Sequence, residues 1–107
     1  NGCYHAVAAT VSLVEDEMGI VIDRSSFNFA RYSSHLMYLL QRLGTGSVLD
    51  SNMSDIYHSL KEERPEIARC VDLIEQYFRD KWNCSLCEEE KLYLLMHINR
   101  ICTREGL

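Results

Sequence analysis

The stretch that decides the fold is Arg31–Leu43, which reads RYSSHLMYLLQRL. Large apolar side chains recur here at helical spacing, so they form one stripe along an amphipathic helix. They are Phe29, Tyr32, Leu36, Leu40 and Leu43, and Leu39 widens the stripe. His35 falls at the edge of the stripe, and Arg31 and Arg42 lie on the same side of the helix. The pattern predicts a histidine that packs against the core, can still be reached, and has cations nearby.

A second stretch, Glu90–Arg100, reads EKLYLLMHINR and repeats this arrangement. Apolar residues cover more than half of the helix circumference, which predicts a mostly buried helix. His97 falls in the remaining polar strip, together with Tyr93, Arg100 and Arg104. Because two helices each carry a histidine flanked by arginine, the pair of histidines is the candidate functional unit.

Two helices are predicted before the loop that follows Leu43. Residues 4–18 place Tyr4, Met18 and the valines between them on one helical face, and Gly19 directly afterwards is a stop signal. The second helix covers residues 26–43. Its plausible N-caps are Asp23, Ser25 and Ser26.

Three further helices are predicted in the second half of the chain. Asn52 can cap a short third helix, and Pro65 suits the first turn of a fourth. Ser85-Leu86-Cys87-Glu88 matches a capping box at the start of the fifth. With no convincing strand pattern, the fold class is all-α, a five-helix bundle.

Size and composition place the chain among compact helical domains. Its 107 residues suit a single domain, with 47% hydrophobic residues, five glycines and one proline. The net charge of −5 argues against direct nucleic-acid contact by this domain, because phosphate binding needs a basic surface. No apolar run reaches the roughly 18 residues of a membrane span, so no membrane insertion is expected. Five cysteines without a secretory signal favour free thiols in the cytoplasm.

Histidine beside arginine suits a phosphohistidine site. A neutral imidazole nitrogen can attack phosphorus, and guanidinium donors match phosphate oxygens. Any single histidine of this kind is more often structural, and His5 and His58, which lack the arginine setting, are expected to be surface or packing residues. The Cys84-x-x-Cys87 spacing is most simply incidental, since two further zinc ligands are missing at suitable spacing. We expect neither an enzyme nor a metal or cofactor, so a partner must deliver any phosphate.

These residues resemble a known family. Phe27–Leu36, followed by Gln41-Arg42-Leu43, resembles the first signature of a PTS regulation domain (PRD), and Glu89–Arg100 resembles the second. Glu66–Cys70 and Glu17–Ile20 also fit. The resemblance covers almost the whole chain, and it is closest to the second of the two PRDs in Bgl/Sac-type transcriptional antiterminators.

The resemblance implies that residues 1–107 are a single PRD of five helices, a fragment of a larger regulator. It makes His35 and His97 phosphoacceptors, and Arg31, Arg42 and Arg100 contacts to phosphate or carrier. The implied donor is HPr or a sugar-specific enzyme II component of the phosphotransferase system. Phosphorylation would change packing in a homodimer and thereby control a separate RNA-binding domain.

Three alternatives stay open. PRDs also occur in DNA-binding transcriptional activators. The chain could instead be a constitutive helical dimerisation domain whose histidines accept no phosphate. A histidine phosphotransfer enzyme or a metal protein is the third possibility.

Overall fold

The computed structural model describes residues 2–45 and 54–106. Five helices follow one another along these residues. They are α1 Gly2–Met18, α2 Phe27–Thr45, α3 Ser54–Glu63, α4 Pro65–Trp82 and α5 Glu88–Arg104. The predicted all-α, five-helix architecture is confirmed over the described ranges, while the expected cap Asn52 lies outside them. In the part of the chain described, no helix is long and apolar enough to cross a membrane.

The carboxylate of Glu15 stabilises the turn between α1 and α2, and Ser26 caps the helix that follows. Gly19 follows α1 with φ +66°, a conformation that glycine adopts without strain, as the predicted stop requires. Glu15 accepts hydrogen bonds from the Ile22 amide at 2.8 Å and from Arg24 at 2.7 Å. Ser26 Oγ accepts the Phe29 amide at 3.1 Å, which makes Ser26 the cap of α2 among the three candidates.

The junction between α4 and α5 corrects the predicted capping box. The N-cap of α5 is Cys87, and no side chain caps it by a hydrogen bond. Ser85 is therefore two residues too early to act as the cap. Glu75 of α4 instead accepts the Leu86 amide at 2.8 Å, so a buried carboxylate positions the start of α5.

Helix α5 packs against α2, α3 and α4, and α1 packs against α2 and α4. The largest fully buried side chains of the core come from four helices: Val11, Val14, Tyr32, Leu36, Leu39, Ile67, Ile74, Phe78, Leu92, Leu94, Leu95 and Ile98. Tyr32 donates a buried hydrogen bond of 2.6 Å to Thr10 Oγ1 and so joins α2 to α1. Tyr4, expected on the apolar face of α1, is 66% exposed, whereas Val11 and Val14 on the same face are buried.

Candidate functional site

The two histidines of the candidate pair lie in contact. Their ring centroids are 5.0 Å apart with an interplanar angle of 40°, and the Tyr93 ring is also 5.0 Å from that of His35. A second contact, between Arg42 of α2 and Glu90 of α5, shows that the two helices run antiparallel. Packing of α2 against α5 therefore brings His35 and His97 together at a single candidate site, along the seam between the two helices.

An open pocket of about 430 Å³ gives access to this site. Its lining consists of Phe27, Ala30, Arg31, Ser34, His35 and His97. Phe27 is 73% exposed, and the Arg31 guanidinium lies 5.6 Å from the centre of the Phe27 ring. The mouth of the pocket thus combines an exposed aromatic ring with a cation, beside two imidazoles.

His97 is buried more deeply than its predicted polar strip suggested. It is only 9% exposed, because α2 packs over that strip and the His35 ring covers it. His35 is half-buried, as expected for the edge of an apolar stripe. Its Nε2 atom is buried and has no hydrogen-bond partner among the described residues. Among the described residues, no hydrogen bond to Nε2 would therefore have to break before this atom reacts.

Burial and neighbouring cations keep both imidazoles neutral. Burial lowers the pKa of His35, and the charge of Arg42 lowers it further. Burial also lowers the pKa of His97 to about 4, with smaller contributions from His35, Arg100 and Arg31. At neutral pH the site therefore contains two uncharged imidazoles, the form that can attack phosphorus.

The predicted arginines lie at different distances from the pocket. Arg31 lines it, whereas Arg42 donates to Glu90 Oε1 at 2.5 Å. Arg100 lines another groove, next to Arg64, although its charge still acts on His97. Of the three cations, only Arg31 is at the pocket.

Arg104 and the remaining histidines lie away from the site. Arg104, expected in the strip of His97, pairs with Asp23 at 3.0 Å. His5 and His58 are exposed, as predicted, and His58 Nε2 is 3.4 Å from a Glu88 oxygen.

Sequence reasoning missed Glu90. Three acidic residues, Glu88–Glu90, at the start of a helix are sufficiently explained by the helix dipole. Glu90 is nevertheless only 4% exposed and is paired with Arg42. A signal was present, since Glu90 lies seven residues before His97, on the same side of α5, as Arg42 lies seven after His35 on α2. Antiparallel packing brings these two positions together.

The five cysteines form no disulfide bond. Burial raises the pKa of Cys70 to about 12 and that of Cys102 to about 11. No group of three or more His, Cys, Asp or Glu residues in the described ranges could hold a metal ion.

The sequence matches the model of one protein family. The PRD domain model covers residues 8–101 of the chain, a span that includes both histidines and the seam between α2 and α5. The chain belongs to the PRD family. In this PRD, the two signature histidines share one pocket.

Three transcription antiterminators are similar to this PRD. The transcription antiterminator LicT of Bacillus subtilis is 28% identical over 91 residues, which cover 85% of the PRD and 33% of LicT. The beta-glucoside operon antiterminator of Dickeya chrysanthemi is 22% identical over 91 residues, which cover 85% of the PRD and 32% of that protein. The GlcA/glcB genes antiterminator of Staphylococcus carnosus is 24% identical over 90 residues, which cover 84% of the PRD and 31% of that protein. The chain spans about a third of the length of these relatives.

Proposed function

We propose that this PRD is the regulatory domain of a transcriptional antiterminator, phosphorylated on histidine by the sugar phosphotransferase system. The observation that carries the proposal is the contact of the His35 and His97 rings at a pocket that Arg31 also lines. The names of the three relatives support the antiterminator role. The PRD supplies the acceptor, and HPr or a sugar-specific enzyme II component supplies the phosphoryl group.

The proposed transfer uses a neutral imidazole as the nucleophile. Its lone pair forms a new N–P bond while the bond between phosphorus and the donor atom breaks, and the donor atom keeps that electron pair. His35 is the better placed first acceptor, because it is more exposed than His97. Its buried Nε2 reaches the donor only when the ring turns outward into the pocket.

The mouth of the pocket suits a protein donor. Exposed Phe27 offers apolar surface for docking, and Arg31 offers a guanidinium to an incoming phosphoryl group. We infer that the carrier approaches over the N-terminal half of α2, where both side chains lie.

The proposed output is a change of packing. A phosphoryl group adds up to about two negative charges at the α2–α5 seam, where the protein now holds two neutral rings. That change would bias the packing of a homodimer and, through it, a separate RNA-binding domain. The same switch could serve a DNA-binding domain, but the relatives named above favour antitermination.

The test is phosphorylation with purified components. The PRD is incubated with phosphoenolpyruvate, enzyme I and HPr, with and without a cognate enzyme II, and acid-labile phosphate is measured. We expect phosphate that is lost in His35→Ala or His97→Ala and retained in His58→Ala, which removes an exposed histidine. Circular dichroism of each variant verifies that it is folded. Absence of acid-labile phosphate with every donor would overturn the proposal.

The depth of His97 favours one alternative, a constitutive helical dimerisation domain. A side chain only 9% exposed is typical of a packing residue, which needs no phosphate. The oligomeric state distinguishes the two functions. A dimer that is unchanged by confirmed phosphorylation would favour the constitutive domain.

A further inference from the structure

Arg42 and Glu90 form an ion pair across the α2–α5 seam. The Arg42 guanidinium donates to Glu90 Oε1 at 2.5 Å, and the two side chains are 27% and 6% exposed. The other carboxylate oxygen, Oε2, is buried and accepts no hydrogen bond from the described residues. Glu90 is thus a buried carboxylate satisfied on one side only.

A carboxylate in this position is poorly compensated. Burial raises the pKa of Glu90, and this effect outweighs the opposing effect of the Arg42 cation. Arg42 is therefore important to Glu90, because loss of the guanidinium would leave an uncompensated buried charge.

Arg42 is also placed to reach His35. It lies seven residues further along α2, or about 10 Å along the axis, on the same face. Long helical side chains lean toward the helix N-terminus, which for Arg42 is the direction of His35. The charge of Arg42 already lowers the pKa of the His35 imidazole.

These contacts give Arg42 two possible anionic partners on the same seam. One is the Glu90 carboxylate, which Arg42 binds in the present structure. The other is a phosphoryl group on His35. It carries more negative charge than the Glu90 carboxylate, and it offers three acceptor oxygens, whereas Glu90 offers Arg42 one. A single guanidinium that turns toward the phosphoryl group must give up its short contact with Glu90.

We infer that Glu90 is a positioning residue that holds Arg42 away from His35 in the unphosphorylated domain, and that Arg42 exchanges Glu90 for the phosphoryl group once His35 carries it. The inference rests on the proposed function. Glu90 then competes with the phosphoryl group for one cation. It shifts the equilibrium of phosphoryl transfer toward the carrier, so its removal favours the phosphorylated domain.

The experiment measures the ratio of phosphorylated to unphosphorylated His35 at a fixed ratio of phospho-HPr to HPr, with the site assigned by mass spectrometry. Glu90→Gln keeps the size of the side chain and removes its charge. We expect the ratio to rise roughly ten- to a hundredfold, the effect of a hydrogen bond to a charged group. The matched control is Glu89→Gln, which removes the same charge one residue away and about 100° round the helix. Its ratio should stay within about twofold of wild type.

A double variant tests whether the effect passes through Arg42. In Arg42→Gln/Glu90→Gln neither charge is present, so the protein has no uncompensated buried carboxylate to unfold it. We expect the gain to vanish and the ratio to fall to the wild-type value or below. A double variant that retains the gain, or a Glu90→Gln protein no more phosphorylated than wild type, overturns the inference while the proposed function stands. A wild-type domain phosphorylated on His97 alone overturns the inference only, and one that takes no acid-labile phosphate from any donor overturns both.

Discussion

His97 shows how position changes the chemistry of a common side chain. It lies beneath α2, in contact with His35 and within the field of Arg31 and Arg100. A proton on His97 would put a charge in a buried place that already faces cations. The folded protein therefore disfavours the imidazolium, whereas the unfolded chain accepts it near pH 6.5.

We predict that acid weakens the fold through His97. Because its pKa falls to about 4 on folding, the unfolded chain binds the extra proton between about pH 6.5 and pH 4. The contribution of His97 therefore leaves the free energy of unfolding at its highest value above pH 6.5. The free energy of unfolding then declines by up to about 3 kcal/mol as the pH falls to 4. Urea unfolding of wild type and His97→Gln at several pH values measures this decline.

The His97→Gln protein should lose most of that pH dependence. His35, whose pKa is also lowered, contributes in the same direction in both proteins. Glu90, whose pKa is raised, contributes in the opposite direction in both. His5→Gln, at an exposed position, is the matched control and should retain the wild-type slope. Equal slopes for wild type and His97→Gln would contradict the assignment.

At this scale the sequence predicted where the two histidines lie on their helices better than it predicted what packs around them. Spacing identified His35 and His97 and placed His35 at the border of the apolar stripe, where the structure has it. It placed His97 in a polar strip, because a single helix does not show what packs over it. The same limit hid the pairing of Arg42 with Glu90, since their contact depends on how α2 and α5 are aligned.

At the scale of the element, α2 depends on a serine that acts in two directions. Ser26 Oγ accepts the Phe29 amide at 3.1 Å and donates to the Asp23 carbonyl at 2.8 Å. It is 7% exposed, so water cannot easily replace either bond. The start of the helix that carries His35 is therefore fixed to the preceding turn.

We predict that Ser26→Ala lowers the free energy of unfolding by about 1 kcal/mol, the usual cost of an N-cap. Ser25→Ala is the matched control, since Ser25 is exposed and its hydroxyl bonds only to Asp23 among the described residues. It should cost less than half as much. Chemical denaturation followed by circular dichroism measures both, and equal losses would show that Ser26 is not the cap.

Helix ends were predicted correctly where the residues that fix them are neighbours in the sequence. The prediction was wrong where a residue of another helix fixes the end. Gly19 and Pro65 act in the structure as their positions in the sequence indicate. The box beginning at Ser85 failed, because the amide of Leu86 is satisfied by Glu75, eleven residues earlier in the chain. A partner on the preceding helix cannot be read from a four-residue pattern.

At the scale of the whole molecule, the hydrogen bond from Tyr32 to Thr10 joins two helices inside the core. Both side chains are at most 1% exposed, and Thr10 Oγ1 also donates to the Val7 carbonyl at 3.2 Å. Because the tyrosine hydroxyl is fully buried, burial raises the pKa of Tyr32 well above its usual value, so it acts as a neutral donor.

We predict that Tyr32→Phe destabilises the fold by about 1–2 kcal/mol, because it leaves a buried acceptor without its donor. Tyr32→Phe/Thr10→Val removes both polar groups, so its cost should be smaller than the sum of the two single changes. Thermal unfolding of the four proteins measures the coupling. Strict additivity would mean that the bond contributes nothing to stability.

The antiparallel packing of α2 against α5 has a consequence for synthesis on the ribosome. His35 and His97 are separated by more than half of the chain, so the emerging polypeptide carries the first imidazole long before the second exists. Until α5 leaves the exit tunnel, His35 has neither its stacking partner nor Tyr93, and Arg42 has no Glu90 to bind. A nascent chain paused before Glu88 would thus display a solvated histidine whose chemistry differs from that of the finished protein.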